Sequence, residues 1–167
     1  MKIQVLCGMI ASGKSTYANN AARSGTICIN DDAIVNMLHA NNYDLYDEKL
    51  KILYKSIENN IVGTVLSFGK TILIDRGLNV SVSGRKRWIS LAKSFDVPCE
   101  AIVFKNYGAE VHAKRRFESD HRGLELKTWI SVAKRDDSIY VKPSVEEGFD
   151  FVEEIDFEEI IKGKIIH

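Results

Sequence analysis

Apolar residues along the chain fall into two alternating patterns. Short continuous runs rich in β-branched residues read as buried strands, and longer stretches with apolar positions every three or four residues read as helices. The strand-like runs are Lys2–Leu6, Thr26–Asn30, Thr71–Asp75, Val97–Phe104 and Phe149–Ile155. Helical spacing covers Ser15–Arg23, the segment after Asp32 through Met37 and Leu38, Asp47–Ser67, Asn79–Phe95, Ala109–Phe117 and Leu124–Asp137. In the longest of these, Leu50, Leu53, Tyr54, Ile57, Ile61 and Leu66 share one face, and Phe68-Gly69 marks the stop. Strands alternating with helices predict an α/β fold, a parallel sheet of about five strands with helices on both faces.

Composition narrows this picture. A chain of 167 residues suits one domain, expected over residues 1–167, and 45% hydrophobic content is enough to build its core. The formal net charge is zero, so no global field pulls the chain toward nucleic acid, although a local basic patch remains open. No apolar run approaches a membrane span and none reads as a signal peptide, so the expectation is a cytoplasmic protein with no membrane partner. Cys7, Cys28 and Cys99 sit in apolar runs without metal-ligand spacing and read as reduced core thiols. The acids from Glu146 to Glu159 read as a solvated face.

One stretch carries specific chemistry. Gly8-Met9-Ile10-Ala11-Ser12-Gly13-Lys14-Ser15 fits G-x-x-x-x-G-K-[ST] and lies between a strand and a helix, the setting this motif requires. Gly8, Ala11, Ser12, Gly13 and Thr16 supply a loop whose N–H groups turn inward toward phosphate oxygens, helped by the positive end of the new helix. Lys14 is expected on the β- and γ-phosphates of ATP, and the Ser15 hydroxyl on Mg²⁺.

Polar residues gather at the ends of the strands, where open parallel sheets bind ligands. Phosphoryl transfer to a hydroxyl needs a carboxylate to take the proton, and Asp31 and Asp32 follow the second strand. Either also suits a helix N-cap. Asp75 ends the third strand, where it is expected at the metal's water shell or the acceptor. Asn79 suits either a substrate contact or a cap on the following helix. The run Lys114-Arg115-Arg116-Phe117-Glu118-Ser119-Asp120-His121-Arg122-Gly123 reads as a mobile lid over residues 114–124, with arginines over the transferring group. Arg85-Lys86-Arg87-Trp88 reads as surface helix, with phosphate-backbone contact as the alternative.

These motifs together resemble the kinase domain of the polynucleotide 5′-hydroxyl kinases, as in the phage T4 enzyme and the kinase half of eukaryotic polynucleotide kinase/phosphatase. The resemblance covers residues 1–156. Ile29-Asn30-Asp31-Asp32 resembles the family's hydrophobic-Asn-x-Asp, and Ile74-Asp75-Arg76-Gly77-Leu78-Asn79 its Asp-x-x-x-Asn segment. Val97-Pro98-Cys99 leads into the fourth strand as in eukaryotic members, and Pro143-Ser144-Val145-Glu146-Glu147-Gly148-Phe149 resembles Pro-Thr-x-x-Glu-Gly-Phe. The resemblance implies an adenylate-kinase-like P-loop NTPase fold with ATP and Mg²⁺, the nucleotide base near Pro143, Asp32 as general base, and Arg116 and Arg122 on the phosphates. It further implies a 5′-hydroxyl end of DNA or RNA as the acceptor, with Asp75, Arg76 and Asn79 expected on the substrate side and Arg76, Arg85 or Arg87 as basic residues to hold it. Two positions depart from the pattern. Val35 stands where the phage enzyme has an arginine for the acceptor's phosphate, and Asp31 where arginine is frequent.

Two other readings stay open: a kinase of the same lineage acting on a modified base, a nucleoside, an aminoacyl-tRNA or a small metabolite, and a nucleotide-binding module without catalysis. Asp32→Asn separates the kinase readings from the last. Steady-state turnover should fall about 10²–10⁴-fold in a kinase, whereas function unchanged by the substitution indicates the module.

Overall fold

The computed structural model describes residues 1–120 and 123–156. Its strands are β1 Ile3–Cys7, β2 Ile27–Asn30, β3 Ile72–Asp75, β4 Cys99–Phe104 and β5 Phe151–Ile155. Its α-helices are α1 Lys14–Arg23, α2 Asp31–Leu38, α3 Lys51–Ser67, α4 Val82–Ser94, α5 Ala109–Glu118 and α6 Leu126–Ile139. The five strands form one sheet in the order β2-β3-β1-β4-β5, every pair parallel. The predicted α/β sheet flanked by helices is thus the observed one. Among the described residues, no helix is long and apolar enough to cross a membrane.

Alternation along the strands divides the core between the two faces. Ile3, Val5 and Cys7 of β1 join Ile72, Ile74, Ala101, Val103 and Trp88 on one face. Leu6, Leu73, Ile102 and Phe104 join Ala18 of α1 on the other. A third cluster, Met9, Ala113, Trp129 and Ala133, packs α5 and α6 beneath the glycine loop. The cysteines behave as core groups: all three are free, and burial pushes the Cys7 and Cys99 thiols up to about 12.

Register decides what stands at the carboxyl edge. β1 pairs Leu6 with Asp75 of β3, and β2 pairs Asn30 with the same Asp75. Asn30 and Asp75 therefore end side by side, next to the point where β1 releases the glycine loop.

Two predicted helices start later than their periodicity suggests, because local hydrogen bonds compete with the helix. The stretch expected from Asp47 opens with a 3₁₀ turn over Glu48–Leu50, in which the Asp47 Oδ1 accepts from Lys49 N at 2.8 Å. The stretch expected from Asn79 opens with a 3₁₀ turn over Gly77–Val80, and α4 begins only where Ser81 Oγ accepts from Gly84 N at 3.1 Å. Gly84 is required there, since a Cβ would lie 1.9 Å from Leu78 O.

Asn79 corrects an expectation. It is neither cap nor substrate contact but fully buried. Its Nδ2 donates to Leu6 O (3.1 Å) and Ile74 O (3.4 Å), and its Oδ1 accepts from Trp88 Nε1 (3.1 Å). The side chain clips β1 and β3 to α4 below the site, so its polar atoms serve the scaffold. Arg85 is a second correction, being buried rather than on the surface. It donates to Asn79 O at 3.0 Å and, through Nε and Nη2, to both oxygens of Glu147 at 2.9 and 2.5 Å. The acidic stretch is accordingly not one solvated face: Glu147 anchors the Pro143–Gly148 loop to α4, and Asp150 Oδ2 accepts from Cys99 N at 2.7 Å.

Removing one partner of a buried pair leaves the other charge unpaired. Glu147→Ala should therefore lower unfolding free energy by about 3–5 kcal/mol in urea titrations. The joint replacement Arg85→Met with Glu147→Leu should cost much less.

Candidate active site

Gly13 begins α1 with φ 102°, a left-handed value that suits glycine, and offers no side-chain cap. The first N–H groups of α1 therefore remain available to an anion. Ala11 also takes a positive φ, 48°. Gly8 lies deeper: a Cβ there would meet Ser12 Oγ at 2.7 Å and Phe104 Cβ at 2.8 Å. Ala11, Ser12, Gly13, Lys14, Ser15 and Thr16 line a cavity of about 440 Å³, bordered also by Arg115, Arg116, Glu118 and Ser119 of α5 and its end.

Lys14 is 8% exposed, and its ammonium donates to Gly8 O at 2.9 Å and Met9 O at 2.7 Å. Burial pushes its pKa below the usual lysine value, against the opposing pull of Asp75 and Asp136. The Ser15 hydroxyl donates to Asp75 Oδ2 at 2.9 Å, and Asn30 Nδ2 donates to the same oxygen at 3.4 Å. Magnesium prefers oxygen ligands and retains waters. The Ser15 hydroxyl and Asp75 carboxylate fit that preference beside a phosphate loop. Among the described residues no group of three or more His, Cys, Asp or Glu side chains gathers as a metal site, so phosphate and water would complete the shell.

Two further cavities continue from the loop. A middle one of about 360 Å³ is bordered by Lys14, Ser15, Asp32, Asp75, Arg116, Trp129, Arg135 and Asp136. Beyond it, one of about 320 Å³ is bordered by Asp32, Val35, Tyr43, Tyr46, Tyr54, Lys51, Lys55 and Arg76. Asp32 borders both. Asn30, not an aspartate, caps α2, its Oδ1 accepting from Ala33 N at 3.3 Å. Neither acid is therefore needed as the cap.

Asp31 and Asp32 diverge in environment. Asp31 accepts from Arg76 Nε at 3.0 Å; Arg76 also approaches Glu58 at 4.0 Å, and Glu58 pairs with Arg87. Burial raises the Asp31 carboxyl to about 6, although the Arg76 guanidinium pulls the other way. Arg76 and Arg87 thus have carboxylate partners. Arg87 also lies 3.8 Å over the Trp88 ring.

Arg116 stands with its guanidinium 4.7 Å over the Trp129 ring of α6 and borders both the loop and middle cavities. Arg122, expected beside it, lies outside the described residues, as does that part of the lid. Sequence reasoning missed three residues of the middle cavity: Trp129, Arg135 and Asp136. A signal existed: Trp129, Ala133 and Asp136 recur at helical spacing, which sets a carboxylate on the buried side of α6. His112 forms no ligand spacing with His39, His121 or His167 in the sequence. It is buried under the loop with Nε2 accepting from Tyr107 N at 3.1 Å, and burial pushes its imidazole down to about 4.

The family model of an AAA domain (AAA_33) matches residues 3–122. The chain belongs to this family. The bifunctional polynucleotide phosphatase/kinase of Schizosaccharomyces pombe is 28% identical over 156 residues, 93% of this chain. The chain spans about a third of that relative, 34% of its length. A chain of the Pnkp1/Rnl/Hen1 RNA repair complex matches with TM-score 0.64 at 16% identity, over 84% of this chain and 46% of that one. A sugar kinase from Janibacter matches with TM-score 0.63 at 15% identity, over 98% and 92%. The likeness to these structures is one of fold, a parallel sheet flanked by helices with a phosphate loop after its first strand.

Asp31 yields a pH test. Its pKa lies above the unfolded aspartate value, so the native state binds the extra proton, and the group's contribution to stability falls as pH rises from about 4 to about 6. The stability of the native protein minus that of Asp31→Asn, from urea titrations, should fall across this window and level off above it. A difference that rises across it would contradict the assignment.

Proposed function

We propose that this kinase transfers the γ-phosphate of ATP to the 5′-hydroxyl end of a polynucleotide. One observation carries the reading: Asp32 borders the cavity that contains Lys14 and also the neighbouring cavity lined by tyrosines and lysines. A base at that junction can serve a hydroxyl entering from the second cavity. Tyr43, Tyr46 and Tyr54 form a stacked run with ring centroids 6.2 and 5.5 Å apart, and Lys51 and Lys55 stand at its exposed side. Aromatic walls with basic neighbours suit the bases and phosphates of a strand. The S. pombe relative, named for polynucleotide phosphatase and kinase activities, supports the same acceptor.

Lys14 and the α1 N-terminus hold the β- and γ-phosphates, and Arg116 lies over the transferring group. Asp32 accepts the proton of the 5′-hydroxyl as its oxygen bonds to the γ-phosphorus. The bond from that phosphorus to the bridging oxygen breaks, and ADP leaves. Magnesium, when bound at Ser15 and Asp75, supplies charge neutralisation on the phosphate oxygens.

A second reading, a smaller hydroxyl acceptor, draws on Val35 and Asp31. Val35 brings no charge to the acceptor cavity, and Asp31 gives its charge to Arg76. The two readings separate in one assay. With γ-labelled ATP, label should appear on a 5′-hydroxyl oligonucleotide and not on its 5′-phosphorylated counterpart, and Lys51→Glu with Lys55→Glu should raise the oligonucleotide KM. ATP turnover with small polyols or nucleosides and none with oligonucleotides would select the smaller acceptor.

A further inference from the structure

Four residues border both the middle cavity and the tyrosine-lined cavity: Asp31, Asp32, Leu78 and Arg135. They mark the boundary that the transferring phosphoryl group crosses, an inference that rests on reading the two cavities as donor and acceptor sides. Among the described residues Arg135 is the one cation on that boundary. Lys14 and Arg116 border only the donor side of it, and Lys51, Lys55 and Arg76 only the acceptor side.

We propose that Arg135 is a catalytic arginine, stabilising the phosphoryl group as it passes from ATP to the acceptor. Its guanidinium is held along one edge: Nε and Nη2 donate to Asp136 Oδ1 at 3.1 and 2.8 Å. Asp136 is nearly fully buried, whereas the Arg135 side chain is 65% exposed. The tether therefore fixes the guanidinium from below and leaves Nη1 for an oxyanion, a pre-organised donor.

Charge balance gives the reason for a cation here. Asp31 and Asp32 stand on the same boundary, and Arg76 is paired with Asp31. An incoming phosphoryl group meets the Asp32 carboxylate at close range, which raises its energy unless a cation offsets it. Arg116 offsets charge from the α5 side, seated on Trp129. Arg135 does so from α6, at the boundary with the acceptor cavity. Both arginines thus border the cavity in which the group's oxygens carry the spread charge of the transition state.

Arg135→Ala should lower kcat for phosphate transfer about 10²–10³-fold and leave the KM for ATP within about threefold. Added methylguanidinium should restore about tenfold of the lost turnover. A purely structural role would give no such rescue. Turnover within threefold of the native enzyme, a loss confined to the KM for ATP, or a loss that methylguanidinium does not reverse would each overturn the proposal. The same comparison on ATP hydrolysis without an acceptor keeps it separate from the choice of acceptor. Failure to label an oligonucleotide overturns the polynucleotide reading, whereas hydrolysis unchanged by Arg135→Ala overturns the role of Arg135.

Discussion

The Lys14 ammonium, buried inside its own loop, is the constraint on which the site depends. It is drawn out of water yet bonded to two main-chain carbonyls, with Asp75 and Asp136 near enough to support its charge. Carbonyl dipoles only partly repay the desolvation of a cation. The remaining attraction is directed at an anion, and the uncapped N-terminus of α1 points the same way. The loop is thus built for phosphate before any phosphate arrives, which is what electrostatic catalysis requires of its donors.

The sheet keeps that loop opposite its chemistry. β1 is central, with β3 and β4 as neighbours, so its carboxyl end opens into the middle of the crevice. Register brings Asn30 and Asp75 alongside, and Ser15 joins them through Asp75. Asn79 holds this edge from below by bonding the ends of both β1 and β3, and Trp88 and Arg85 hold Asn79. Arg85 then ties α4 to Glu147, and so to the loop before β5. A chain of buried polar contacts thus runs from the scaffold to the carboxyl edge. Each link is satisfied by another, the condition under which buried polar groups rigidify a fold.

What could be read from the sequence was local. The phosphate loop declares itself in eight consecutive residues flanked by a strand and a helix, and period-two and period-3.6 patterns gave the elements around it. The charged residues were harder, because their roles depend on partners far along the chain. Arg85 looked like surface helix because its partner, Glu147, lies 62 residues away. Asp31 and Asp32 are adjacent in sequence; the resemblance singled out Asp32, and the approach of Arg76, 45 residues on, supplies the physical difference between them. Asn79 carried a plausible substrate role until the packing of three elements consumed its amide. Arg135 and Asp136 escaped notice because no motif marks them, and only the packing of α6 against α5 brings them to the cleft.

The acceptor side is where this chain writes its own variation. Its cavity combines stacked tyrosines, exposed lysines and the Asp31–Arg76 pair, with Val35 in the wall. The central claim is that Asp32 joins this cavity to the phosphate loop. A crystal structure with a non-hydrolysable ATP analogue, magnesium and a 5′-hydroxyl oligonucleotide tests it most directly. The 5′-oxygen should lie within hydrogen-bond reach of Asp32 and in line with the γ-phosphate, with the terminal nucleotide in the tyrosine-lined cavity. An acceptor bound elsewhere, with Asp32 away from the reacting oxygen, would contradict it.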